Sequence, residues 1–264
     1  MNKNEKHLKR KYISAIIFAA VILGVIVYVI FIFERNDLEF IESINNDAIS
    51  ANILLINVTE ESSSTSFSAG ESGVIYKKDS EKYYVLTALH GLKLDKNNTK
   101  IIALGYDQPA YNEAGDNIGL KAYYSQFPEA KLECYDDTYD LAVISFYSKN
   151  KYAVLSIASE VKYNEPVAAI GNPHEGSRNT ITTGKITSKT PVPFGDIAGA
   201  KQHYVIEHSA KTSLGSSGGA LLNKEMEVVG IILGASENIF HKFVKGKAMP
   251  CDKILEFLRI MDME

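Results

Sequence analysis

From residue 52 to residue 250 the sequence is a succession of short apolar runs that no long helical period interrupts. The runs cover 52–58, 73–76, 83–86, 100–104, 141–146, 166–170, 179–187, 204–206 and 228–233. Each is β-branched or aromatic and is bounded by Gly, Asn, Asp or Lys, which is the pattern of strands joined by turns. Alternating β/α units would need amphipathic helical stretches between the runs, and none is present. The spacing therefore predicts a mainly β fold, a barrel or a sandwich pair. Residues 60–71, rich in Ser, Thr and Gly, read as a loop, and residues 105–125 as a polar surface insertion. Near the end, Asp252 can cap a helix carrying Ile254, Leu255, Phe257, Leu258 and Met261 on one side. There is no internal repeat.

The N-terminus follows a different rule. Lys3, Lys6, Lys9, Arg10 and Lys11 stand against one acid, Glu5, in residues 1–12. Residues 13–33 then carry no charge. At about 1.5 Å per residue such a helix reaches across a hydrocarbon core of about 30 Å. A cleaved signal peptide would have a shorter apolar region followed by small residues. Here Glu34-Arg35-Asn36-Asp37 follows. The reading is a transmembrane signal anchor at 13–33, a stalk at 34–50 and a folded domain at 51–264. The basic residues before the span place the N-terminus in the cytoplasm and the domain outside the cell membrane.

A formal charge of −4, with no basic cluster beyond the first dozen residues, gives no case for nucleic acid. Two cysteines, Cys134 and Cys251, exclude a disulfide-dense scaffold and a zinc site built on several thiolates. Their apolar neighbours suggest buried free thiols, and no metal or cofactor is expected. Nothing sets the oligomeric state, and a homo-oligomer is compatible with the sequence.

Against this background one stretch carries chemistry: Leu214-Gly215-Ser216-Ser217-Gly218-Gly219-Ala220-Leu221. A serine in a tight glycine-rich turn leads straight into an apolar run. Gly215 can bend so that its own N–H and that of Ser217 converge on one point, an oxyanion hole, with the Ser216 N–H as a helper. The serine needs a base, and the base needs an orienter. His90 follows the apolar run 83–86 through Thr87-Ala88-Leu89, and an imidazole titrates near working pH. Asp136, Asp137 and Asp140 precede the run 141–146, and Asp140, adjoining it, is the one a strand would carry inward.

Together these stretches resemble the trypsin-fold serine proteases, most closely the HtrA/DegP-like branch. The histidine segment is Thr87-Ala88-Leu89-His90. The acid segment is Asp137-Thr138-Tyr139-Asp140-Leu141-Ala142-Val143. The nucleophile segment is Gly215-Ser216-Ser217-Gly218-Gly219-Ala220-Leu221. Ser72-Gly73-Val74-Ile75, Gly171-Asn172-Pro173 with 182–187, and Ala248-Met249-Pro250 through Ile254 add three further matches, all in order. The resemblance implies two six-stranded β-barrels and a serine endopeptidase acting on protein or peptide substrate through Ser217, His90 and Asp140. It implies that Ile232, Leu233 and Gly234 form an edge that pairs with extended substrate. Lys211, six residues before Ser217, falls where such enzymes place the floor of the primary pocket. It would either read an acidic or polar side chain or point to solvent beside a small apolar pocket. Ser216 replaces the usual Asn or Asp, and Leu214 a common proline. The chain ends at Glu264, so the PDZ domain of many relatives is not expected. The rival reading is a membrane-tethered pseudoprotease that binds without cleaving.

Overall fold

The computed structural model describes residues 3–60, 65–68, 71–94, 99–114, 118–174, 178–195 and 203–264. It divides into two compact units, Met1–Glu42 and Ser43–Glu264. Helix α1 covers Lys3–Asp47, so the expected span at 13–33 and most of the expected stalk are one continuous helix. The side chains of residues 1–17, 19, 30 and 33 lie outside the described ones. Among the described residues no helix is long and apolar enough to cross a membrane.

In the second unit β1 (Asn52–Glu60), β2 (Thr65–Ser68), β3 (Ser72–Asp79), β4 (Lys82–Ala88), β5 (Thr99–Leu104), β6 (Glu129–Asp136) and β7 (Leu141–Tyr147) build the first sheet. Its order is β2-β1-β3-β4-β7-β6-β5, and β1 also pairs with β5. That last pairing closes β1, β3, β4, β7, β6 and β5 into a ring, with β2 outside it as a hairpin on β1. Strands β8 (Pro166–Gly171), β9 (Thr180–Lys185), β10 (Val192–Phe194), β11 (His203–His208), β12 (Ala220–Leu222), β13 (Val228–Glu237) and β14 (Phe243–Pro250) build the second sheet. Its order is β10-β11-β14-β13-β12-β8-β9, and a bridge between Ile186 and His208 links the exit of β9 to β11. Each sheet has a seventh strand beyond the six that the resemblance implies.

The expected strands are present, and the charged ones are additions. Strand β6 carries Lys131 and Glu133, and β14 carries Lys245 and Lys247. Neither looks like a strand in one dimension, because Glu133, Lys245 and Lys247 find neutralising partners on other strands. Glu133 pairs with Lys82 of β4 at 2.8 Å and accepts from Ser145 of β7 at 2.6 Å. Glu207 of β11 takes both Lys245 and the buried Lys247.

Residues 105–125 are less polar in space than in sequence. Short helices α2 (Tyr111–Ala114) and α3 (Leu120–Tyr124) pack the buried Tyr123 and Tyr124 onto Leu54, Ile56, Val58, Ile102 and Leu104. The second barrel has its own core around Val167, Ile206, Leu221, Val229 and Ile232. Helix α4 (Cys251–Ile260) buries Ile254, Phe257 and Leu258. Its N-cap is Pro250 with no side-chain cap bond, so Asp252 sits in the first turn rather than at the cap. Both cysteines are free; Cys251 is buried and Cys134 only partly so.

Candidate active site

The strand register brings His90 and Asp140 together. In the β4–β7 ladder Ala88 faces Leu141. The residues just beyond that pair, on the 3₁₀ turn Leu89–Gly91 and just before β7, therefore meet at the barrel rim. The Leu89 N–H donates to the Asp140 carbonyl at 3.0 Å. The His90 N–H donates to Asp140 Oδ1 at 2.9 Å, and His90 Nδ1 lies 2.6 Å from Oδ2. Asp140 reaches both groups from a left-handed backbone, φ 53°, which Asp tolerates better than most residues. The segment after His90 is held from β1: Asn57 Nδ2 donates to the Gly91 carbonyl at 2.9 Å, and its Oδ1 accepts the Lys93 N–H at 3.2 Å. Burial lowers the His90 pKa, but the Asp140 hydrogen bond and charge, helped by Glu71, more than offset it. The imidazole sits above its ordinary value.

Ser217 comes from the other barrel, on the turn before β12. The buried Ser72 at the start of β3 ties this turn to the first barrel. Its N–H donates to the Ser217 carbonyl at 2.8 Å and its hydroxyl to the Gly215 carbonyl at 2.7 Å. The same hydroxyl accepts the Asn172 N–H at 2.7 Å. Gly218 has φ 80°, and a Cβ there would lie 2.1 Å from the Ser72 carbonyl and 2.9 Å from the Ala88 nitrogen. Only a glycine lets the serine turn approach the strand end that leads to His90 this closely.

The Ser217 hydroxyl contacts the Leu233 carbonyl at 3.5 Å and interacts with the Glu71 carboxyl. Among the described residues no hydrogen bond joins it to the His90 ring. Such bonds are commonly long without substrate and tighten when it binds. Gly215 has φ 90° and packs against His174. Among the described residues the N–H groups of Gly215 and Ser217 have no protein acceptor, whereas the Ser216 N–H donates to the Ser213 carbonyl at 2.9 Å. Ser216 is thus engaged in holding the turn, and the Gly215 and Ser217 N–H groups are the two donors left.

The other expected positions divide. Lys211 is exposed, and its carbonyl accepts from Thr182 Oγ1 at 2.8 Å. Ile232 is not an open edge: its N–H donates to Gly219 at 2.9 Å and its carbonyl accepts from Gly218 at 2.7 Å. Leu233 lies at a register shift in the β13–β14 ladder, next to Ser217, and Gly234 pairs with Lys247. The edge facing the serine therefore begins at Leu233. Among the described residues no group of three or more His, Cys, Asp or Glu could hold a metal.

One residue at this site carries no sequence signal. Glu71 precedes Ser72 at the end of what reads as a polar loop, and only folding sets its carboxyl beside Ser217 and His90.

Two barrel sheets with this constellation at their junction define a trypsin-type peptidase scaffold. The trypsin-like peptidase domain family matches residues 71–231, and the chain belongs to it. It is 32% identical over 164 residues to a protein named serine protease Do-like HtrB of Bacillus subtilis, covering 61% of this chain and 31% of that one. It is 29% identical over 191 residues to serine protease Do-like HtrA of the same organism, covering 71% and 38%. With serine protease HTRA1A of Danio rerio it shares 33% over 135 residues, 49% of this chain and 26% of that one. The chain thus matches about a third of the length of these relatives.

Proposed function

We propose that this chain is a serine endopeptidase that cleaves protein or peptide substrates through Ser217, His90 and Asp140. The observation that carries the reading is the His90–Asp140 pair at 2.6 Å, with the Ser217 turn docked from the other barrel against the strand end that leads to it. Asp140 holds the proton on Nδ1, leaving Nε2 able to accept the Ser217 proton as the hydroxyl attacks the carbonyl carbon. His90 then returns that proton to the leaving amine. The Gly215 and Ser217 N–H groups receive the oxyanion. An extended substrate pairs along β13 from Leu233 onward. The exposure of Lys211 supports a primary pocket in which this lysine points to solvent.

The domain assignment extends the proposal. Residues 13–33 anchor the protein in the cell membrane, residues 1–12 lie in the cytoplasm, residues 34–50 form a stalk, and residues 51–264 work outside. The support is the charge asymmetry around residues 13–33 and the exposure of Phe18, Leu23, Val25 and Tyr28 on α1.

The experiment is cleavage of casein and a peptide library by the full chain in detergent, wild type beside Ser217→Ala. If the three residues act as a unit, the variant loses about 10⁶ in turnover, the loss found in another serine protease. A fluorophosphonate probe should label the wild type on Ser217 alone. Equal cleavage by both proteins refutes the assignment. No label on a folded wild type favours a non-cleaving binding module, the reading to which the missing Ser217–His90 hydrogen bond would belong.

A further inference from the structure

The mechanism above leaves one group at the centre of the site without a task. Glu71 puts a carboxyl beside the Ser217 hydroxyl and within electrostatic range of His90, His174 and Asp140. Its Oε2 is buried and, among the described residues, has no hydrogen-bond partner. Its main chain is fixed on one side by Leu55, whose N–H donates to the Glu71 carbonyl at 2.8 Å, and on the other by Ser72, bonded to Ser217. Its side chain lies on Gly91: a Cβ there would fall 1.7 Å from Glu71 Cγ and 2.6 Å from Cδ. The carboxyl is therefore packed in place against the residue that follows His90.

A desolvated acceptor with no partner is destabilising, and more so when charged. Burial accordingly pushes the Glu71 carboxyl above its usual range, against the lowering influence of His90, His174 and the Ser217 hydroxyl. An unsatisfied buried acceptor in a native fold calls for an explanation, and a ligand that brings the missing donor supplies one.

The direction from which a donor arrives follows from the site. Ser217 lies between Leu233 on β13 and Glu71 on the first barrel. The acyl half of an extended substrate runs along β13, on the Leu233 side. The leaving half exits on the side of His90, which protonates its amine, and Glu71 packs on the residue next to His90. With substrate in that direction, the carboxyl would neighbour the first residues after the scissile bond.

We propose that Glu71 is a specificity-determining residue that pairs with a lysine or arginine side chain immediately after the cleaved bond. The inference rests on the endopeptidase reading and deepens it. An ammonium or guanidinium gives Oε2 its donor and neutralises a carboxylate that would otherwise oppose the negative charge growing on the substrate oxygen. An acidic residue at the same place would meet like charge in a poorly solvated cleft.

The test uses the full-length protein and peptides identical except for the residue after the scissile bond, set to Lys, Arg, Ala or Glu. The wild type should cleave Lys and Arg peptides with kcat/KM about tenfold above Ala, a difference worth roughly 1.4 kcal/mol, and Glu peptides most slowly. In Glu71→Gln the Lys-to-Ala ratio should fall to near one, and in Glu71→Lys the order should invert in favour of Glu. A flat wild-type profile overturns the proposal, as does a preference unchanged in Glu71→Gln. Glu71→Gln speeding every peptide equally also overturns it, because the carboxyl would then be an obstruction. Fluorophosphonate labelling separates the two layers of argument. Label with a flat profile removes only the Glu71 assignment; no label and no cleavage by a folded wild type removes the endopeptidase reading and this inference with it.

Discussion

Replacing Asp140 with Asn tests the proposed mechanism at its best-defined contact. Asn adopts the left-handed backbone of this position, φ 53°, as readily as Asp, so the change isolates charge and proton placement. Asp140 Oδ1 accepts the His90 N–H at 2.9 Å while Oδ2 faces Nδ1 at 2.6 Å. In the variant the amide oxygen stays with the backbone N–H, because the flipped amide would set two donors face to face. The amide NH₂ then donates to Nδ1, the imidazole proton moves to Nε2, and His90 can no longer accept the serine proton. Recovering the useful tautomer means flipping the amide, at about 1–3 kcal/mol for an unpartnered N–H. The imidazolium formed in the transition state also loses a charged partner, worth about 1.5–3 kcal/mol. The low end applies here, because the His90 side chain is 44% exposed. The sum, about 2.5–4.5 kcal/mol, predicts a kcat lower by roughly 10² to 10³. The same change removes the carboxylate that lifts His90, so the acid limb of kcat/KM shifts to lower pH. The assay is the pH profile of peptide hydrolysis for both proteins, with urea unfolding to show equal stability. A variant within tenfold of wild type at pH 8, with an unmoved acid limb, would refute the proton-placement argument.

Two further predictions concern the frame of the site. Gly218→Ala adds a methyl at φ 80° against the Ser72 carbonyl; the left-handed backbone costs about 1–2 kcal/mol and the overpacking about 1–3. Urea unfolding should therefore show a loss of about 2–5 kcal/mol, and a loss below about 1 would mean that the two barrels part easily. His208 is fully buried against Gly246, with neither ring nitrogen in a well-formed hydrogen bond among the described residues, and burial, opposed only by the Ala210 backbone, holds its pKa at about 4. Below about pH 6.5 the unfolded chain takes up a proton that the folded chain refuses. Stability therefore falls between about pH 6.5 and about pH 4, by about 3 kcal/mol from this group. His208→Leu should remove that part of the acid sensitivity, measured as the change in urea midpoint between pH 7.5 and pH 4.5, and an undiminished drop in the variant would contradict it.

Strands rich in Val, Ile and Tyr were legible because their burial is a local property of the residues. Strands β6 and β14 were not, because Glu133, Lys245 and Lys247 become strand residues only when Lys82 and Glu207 arrive from other parts of the chain. The insertion at 105–125 read as polar for the same reason: the apolar surface that receives Tyr123 and Tyr124 belongs to β1 and β5. Ile232 looked like an open edge until Gly218 and Gly219 took up its backbone.

What the amino-acid order determined by itself was the mainly β fold class and the candidates for the site: His90 after one strand, Asp140 before another, Ser217 in a glycine turn. Short-range preferences of backbone and side chain suffice for that. Tertiary structure decided which groups face one another, because contacts between segments some 50 to 145 residues apart depend on the closure of both barrels. The Ser72 ties across the two barrels and the carboxyl of Glu71 beside the serine exist only after that closure.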